Sequence, residues 1–156
     1  MNTHEYRSSN LRKGRVSLQN TYYHIIFCTH KRQKILANKE VSSIIFNTFD
    51  WLQTDKRLEW ICIMVMPDHV HSVIKLEKNH VLSKVVQSMK LFSARKINQH
   101  LSREGSLWQK GYSDWGIRNV PTLNRIIRYC YMNPVREGLV KNPGDYPFWQ
   151  CIYEMV

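Results

Sequence analysis

The chain has 156 residues, 43% of them hydrophobic and 12% aromatic, which is enough to bury one core and too little for several domains. Its 23 Lys and Arg against 12 Asp and Glu leave a formal charge of +11, a balance that concentrates polyanions around the protein and makes nucleic acid the first partner to consider. No apolar run is long enough for a bilayer, no signal-like segment follows the basic start, and the 4 cysteines lack CxxC spacing and read as free thiols, so a cytoplasmic, reducing location without a membrane partner is expected.

Residues 1–18 are polar and basic without periodicity and read as an N-terminal arm whose cations are Arg7, Arg12, Lys13 and Arg15. Residues 19–156 read as one domain. TYYHIIFCTH (Thr21 to His30) is β-branched and aromatic, as a first strand requires. From Asn38 to Gln53 the apolar residues Val41, Ile44, Ile45, Phe49 and Leu52 recur at helical spacing behind a capping Asn38. LEWICIMVM (Leu58 to Met66) and HVHSVIKL (His69 to Leu76) are apolar runs of strand length, and Pro67-Asp68 between them predicts a hairpin turn. Asn79 to about His100 reads as a second helix, with Leu82, Val85, Val86, Met89, Phe92 and Ile97 on one broad face and Lys84, Lys90, Arg95 and Lys96 available for phosphates on others.

SLWQKGYSDWGIR (Ser106 to Arg118) reads as a loop and a fourth strand, in which Trp108 and Tyr112 are candidates for stacking on unpaired bases. Thr122 to Met132 reads as a further helix stopped by Asn133-Pro134. The aromatic end NPGDYPFWQCIYEMV should pack back over the domain. The order strand, helix, strand, strand, helix, strand, helix predicts an α+β protein. Its expected core is a ferredoxin-like antiparallel sheet with two helices on one face, followed by an added C-terminal helix that carries the chemistry.

His69 and His71 stand two apart in a strand, so both imidazoles project from one face and can serve one ion. Tyr129 and Asn133 stand four apart and share a helix face. Two imidazoles and an amide oxygen, with phosphate completing the shell, suit Mg²⁺ or Mn²⁺ better than a closed zinc site. Such a cation would polarise a phosphodiester for attack by a tyrosyl oxygen and so give a covalent phosphotyrosine. Tyr131 lies about 200° further round the helix than Tyr129, and spacing to Asn133 selects Tyr129, while Tyr112 stays open as a nucleophile. His24, His30, His80 and His100 are scattered, and nothing in their spacing suggests a ligand role.

Three blocks in order carry a resemblance. MPDHVHSVI resembles the MPNHxH block of the HUH single-tyrosine transposases, WQKGYSDWGIR resembles their WQxx[FY] block, and YCYMNPVREGLV resembles the YxxxNPVxxGxV block of the REP-associated tyrosine transposases. The resemblance covers roughly residues 20 to 150, with Asp68 standing where Asn is usual. It implies a metal-dependent endonuclease and strand transferase acting on single-stranded DNA near hairpins. Under that resemblance His69, His71 and Asn133 hold Mg²⁺ or Mn²⁺, Tyr129 forms a 5′-phosphotyrosine link, the basic arm holds a single-stranded guide, and the protein is a monomer or homodimer. The principal rival is a non-catalytic single-stranded nucleic-acid-binding module on the same kind of sheet. A replication-type or plasmid-relaxase nickase, which shares the HUH chemistry, is a third reading that ranks well below the first.

Overall fold

The computed structural model describes residues 21–155, so the arm cations Arg7, Arg12, Lys13 and Arg15 lie outside the described residues. Five strands, β1 (Tyr22–Cys28), β2 (Leu58–Val65), β3 (His69–Leu76), β4 (Ser113–Ile117) and β5 (Trp149–Cys151), form one sheet in the order β4-β1-β3-β2-β5. Every pairing is antiparallel. The first four strands reproduce the ferredoxin-like order expected from the sequence. Among the described residues no helix is long and apolar enough to cross a membrane.

Strand alternation divides the sheet chemically. In the β1–β3 ladder Tyr23 faces Ile74, Ile25 faces Ser72 and Phe27 faces Val70, and these side chains, all buried, look toward α1 (Lys39–Thr54) and α2 (Leu82–Leu101). The intervening pairs put His24 opposite Val73, Ile26 opposite His71 and Cys28 opposite His69. These look the other way, toward α3 (Val120–Tyr131), which packs over β2 and β3 with Leu123, Ile127 and Cys130 buried. A bulge between Trp60 and Cys62 lets Ile61 and Cys62 both join this second layer.

The helix starts follow local chemistry. The Asn38 side chain accepts a hydrogen bond from the Val41 amide at 3.0 Å, and Val41, Ile45, Phe49 and Leu52 then turn inward along α1. The second helix starts at Leu82, later than the periodicity suggests, because Asn79 has a left-handed φ of 68° and cannot begin it. The third starts earlier, at Val120, because Asn119 caps the Thr122 amide at 2.9 Å and Pro121 sits in the first turn, where its missing N–H costs nothing. Pro134 does the same for a new single turn, α4 (Asn133–Arg136), so Asn133-Pro134 ends α3 without ending helical structure. The C-terminal stretch does pack back: it adds β5 to the β2 edge, and the Tyr146 hydroxyl donates to the Val65 carbonyl at 2.5 Å.

Two residues expected at the DNA belong to the scaffold instead. Trp108 is buried, its ring meets Phe27 edge-on at 4.7 Å, and its indole N–H donates to Ser93 Oγ at 3.0 Å, so it presents no face for a base. The Lys90 ammonium donates to the Gln109 and Gly111 carbonyls at 2.6 and 2.7 Å and ties α2 to the loop before β4. Tyr112 packs partly buried against the α1/α2 core. It therefore lies on the wrong side of the sheet to act as nucleophile for the histidines. Trp108→Ala is expected to cost about 3–5 kcal/mol of stability by emptying a large core site, read as a lower urea midpoint. Weakened DNA binding at unchanged stability would contradict the core assignment.

Candidate active site

His69 and His71 share the α3 face of β3 with ring centroids 5.0 Å apart. The turn before them is clamped from the segment that follows β1: the Thr29 amide donates to the Asp68 carbonyl at 2.9 Å, and the Leu36 amide to the Pro67 carbonyl at 3.0 Å. Asp68 then reaches forward. Its Oδ1 lies 2.7 Å from His69 Nδ1 and its Oδ2 3.0 Å from Arg32 Nε. The hydrogen bond to His69 holds the Asp68 carboxyl below its usual range, with Arg32 acting in the same sense. Ionised Asp68 thus accepts the Nδ1 proton and leaves His69 Nε2 with its lone pair, the form in which imidazole binds a metal. An Asn side-chain oxygen could accept the same bond from Nδ1.

Asn133, at the start of α4, is buried, and its amide lies 2.5 Å from His71 Nε2. The other nitrogen of His71, Nδ1, lies 3.0 Å from His24 Nε2. The structure therefore unites His69, His71 and Asn133 as the sequence suggested, and adds His24, which its isolated place in the sequence concealed. His24 is also 3.6 Å from Cys130 Sγ and stacks on Trp115 at 5.3 Å. Burial lowers its pKa to about 4 and keeps it neutral near neutrality.

Tyr129 turns toward the same place. Its half-buried ring lies edge-on to His71 and His24, with centroids 6.0 and 6.2 Å apart. Burial pushes its phenol up, while Arg136 opposes that shift from a stacked position with its guanidinium carbon 3.9 Å from the ring centroid. Arg136 also donates to the Tyr129 carbonyl. Sequence reasoning missed this cation, although its i+7 spacing from Tyr129 placed it two turns along the same face. Tyr131 points elsewhere and meets Trp149 at 5.3 Å. Lys84, Arg95 and Lys96 are exposed on α2, behind the opposite face of the sheet, so the structure does not bring them to the histidines.

Two overlapping donor sets share His71. His24, His71 and Cys130 place one ligand atom each within 4.8 Å of one another, a soft set buried between the sheet and α3, beside the Cys62 thiol, which burial holds well above its usual pKa. His69, His71 and Asn133 form a harder set, nitrogen and amide oxygen, beside the Tyr129 ring. The harder set fits a divalent cation that must also bind phosphate oxygen, and turning the Asn133 amide over would aim its oxygen where its nitrogen now lies.

Known proteins resemble this chain in sequence and in fold. The REP-associated tyrosine transposase of Escherichia coli K12 is 23% identical over 146 residues, which is 92% of this chain and 80% of that one. A Haemophilus influenzae relative assigned to the same group is 27% identical over 100 residues, 58% of this chain, and the match spans 57% of that protein's length. The ISDra2 transposase of Deinococcus radiodurans is 29% identical over 108 residues, 65% of this chain and 76% of that one. Among solved structures, that of a REP-associated tyrosine transposase bound to a REP hairpin superposes with a TM-score of 0.72 at 21% identity, covering 86% of this chain and 79% of that one, and confirms the fold. The family described as "Transposase IS200 like" matches residues 17–132, and the chain belongs to that IS200-like transposase family.

Proposed function

We propose that this transposase cuts and rejoins single-stranded DNA beside a hairpin through a 5′-phosphotyrosine link formed by Tyr129. One observation carries the reading: Tyr129 and Asn133 leave neighbouring helical turns, Asn133 is bonded to His71, and the Tyr129 ring stands against the same imidazole. His69, His71 and Asn133 would hold Mg²⁺ or Mn²⁺. When bound there, the cation supplies a Lewis acid for a non-bridging oxygen of the scissile phosphate.

The residues of the chain perform the rest. Tyr129 Oη gives up its proton to solvent and attacks phosphorus, forming the Tyr–O–P bond. The bond from phosphorus to the 3′-oxygen breaks, and that oxygen takes up a proton to become a free 3′-hydroxyl. Another 3′-hydroxyl can reverse the step, because the phosphotyrosine conserves the energy of the diester. Arg136 counters the cost of forming a phenolate in a half-buried site. The buried positions of His69, His71 and Asn133 reduce the solvent screening that would weaken these interactions in water. His71 and Tyr129 meet within one chain, so a single copy carries a complete set of groups.

The DNA outside the reacting step needs other contacts. The arm residues Arg7, Arg12, Lys13 and Arg15 would bind the single-stranded guide, while Lys84, Arg95 and Lys96 would meet hairpin phosphates away from the chemistry. A REP hairpin occupies the related solved structure, which makes a hairpin the natural first substrate to try.

Incubation of labelled hairpin DNA carrying single-stranded flanks with the protein and Mn²⁺, followed by denaturing electrophoresis, should give a cut strand and a protein–DNA adduct. Tyr129→Phe should bind the hairpin normally and form no adduct; an adduct in that variant would move the nucleophile elsewhere. His69→Ala should lose cleavage by at least about 100-fold while retaining most of its hairpin affinity, and equal losses of both would make His69 structural. Arg136→Ala should slow adduct formation about 10-fold at unchanged affinity; an unchanged rate would remove Arg136 from the chemistry. Binding by the native protein without any cleavage would favour the non-catalytic binding module.

A further inference from the structure

We propose that His24 is a positioning residue that fixes the tautomer of His71 and thereby makes its Nε2 a metal ligand. The inference rests on the reading of His69, His71 and Asn133 as the cation site. It concerns a β1 residue that belongs to none of the sequence blocks carrying the chemistry.

Proton placement assigns the roles. A neutral imidazole has one N–H and one lone pair, on different nitrogens. The nitrogen of His71 that faces Asn133, and so the cation site, is Nε2; to serve as a ligand it must carry the lone pair, which leaves the hydrogen on Nδ1. That hydrogen points at His24 Nε2, 3.0 Å away, which must be the acceptor. Were the hydrogen on His24 Nε2 instead, it would point at His71 Nδ1, push the His71 hydrogen onto Nε2 and destroy the ligand atom. Packing fixes the His24 ring in this orientation. His71 lies on one side with ring centroids 5.3 Å apart and planes 17° apart, Trp115 lies on the other at 5.3 Å, and only 6% of the residue is exposed. His69 receives the equivalent service from Asp68. The two ligand rings thus have different orienting partners, one charged and partly exposed, the other neutral and buried.

His24→Phe keeps an aromatic ring of similar shape and removes the acceptor, whereas His24→Gln keeps an acceptor oxygen. Titration of the full-length protein with Mn²⁺ alone should show His24→Phe bound 10- to 100-fold more weakly than the native protein (about the range for loss of an orienting partner), and His24→Gln within a few-fold. Long-range ¹H–¹⁵N spectra of the metal-free protein should show His71 as the Nδ1–H form in the native protein and a mixture in His24→Phe. That signature is independent of activity, and a dispersed backbone amide ¹H–¹⁵N spectrum of the same sample verifies that the variant is folded.

Native Mn²⁺ affinity and an unchanged His71 tautomer in His24→Phe would overturn the proposal. So would a thiolate charge-transfer band on loading with Co²⁺, which would make His24 and Cys130 ligands themselves. Mn²⁺ binding unaffected by His69→Ala and by Asn133→Ala would instead overturn the cation site on which the proposal rests. Loss of binding in those two variants with native binding in His24→Phe would remove His24 alone.

Discussion

The antiparallel ladder between β1 and β3 is the constraint from which the site follows. Its period of two sends Tyr23, Ile25, Phe27, Val70 and Ile74 into the layer beneath α1 and α2, and sends His24, His69 and His71 into the layer beneath α3. A slip of β1 by one residue would turn His24 into the main apolar core and Ile25 and Phe27 toward α3, and a slip of β3 would turn His69 and His71 into that core. Register is therefore enforced twice: by burial of the apolar set on one side, and on the other by polar bonds that only one pairing can make.

The α3 layer is unusual in mixing the two kinds of packing. Ile61, Met64, Leu123 and Ile127 supply ordinary apolar contacts, yet in the same layer Asn133, His71 and His24 form a continuous chain of buried polar groups. Buried polar groups destabilise a fold unless each finds a partner, and here each completes another. The arrangement fixes ring orientation before any ligand arrives, which is how a site keeps its geometry without reorganising during the reaction. It also links the helix that bears Tyr129 to the strand that bears the histidines, since Asn133 stands one turn beyond Tyr129.

Much of this was legible in the chain because the signals were local. Alternation in HVHSVIKL placed His69 and His71 together, four-residue spacing placed Tyr129 with Asn133, and helix periodicity located α1 to within a residue or two. What escaped depended on contacts between distant segments. His24 becomes a partner of His71 only through strand pairing across 47 positions. Trp108 and Lys90 look like nucleic-acid contacts by composition, and only packing against Phe27 and the carbonyls of residues 109 and 111 shows that they hold the scaffold together. The short β5 has too few residues for a pattern of its own and exists as a strand because the β2 edge was open to it.

The most direct test of the account is a crystal structure of the full-length protein with Mn²⁺ and a hairpin oligonucleotide, in which anomalous scattering locates the ion without assumption. The account predicts one strong peak bounded by His69 Nε2, His71 Nε2 and the Asn133 side-chain oxygen, with the Tyr129 hydroxyl facing the adjacent phosphate. A peak beside Cys130 and His24, or a phosphate served by a tyrosine other than Tyr129, would contradict it.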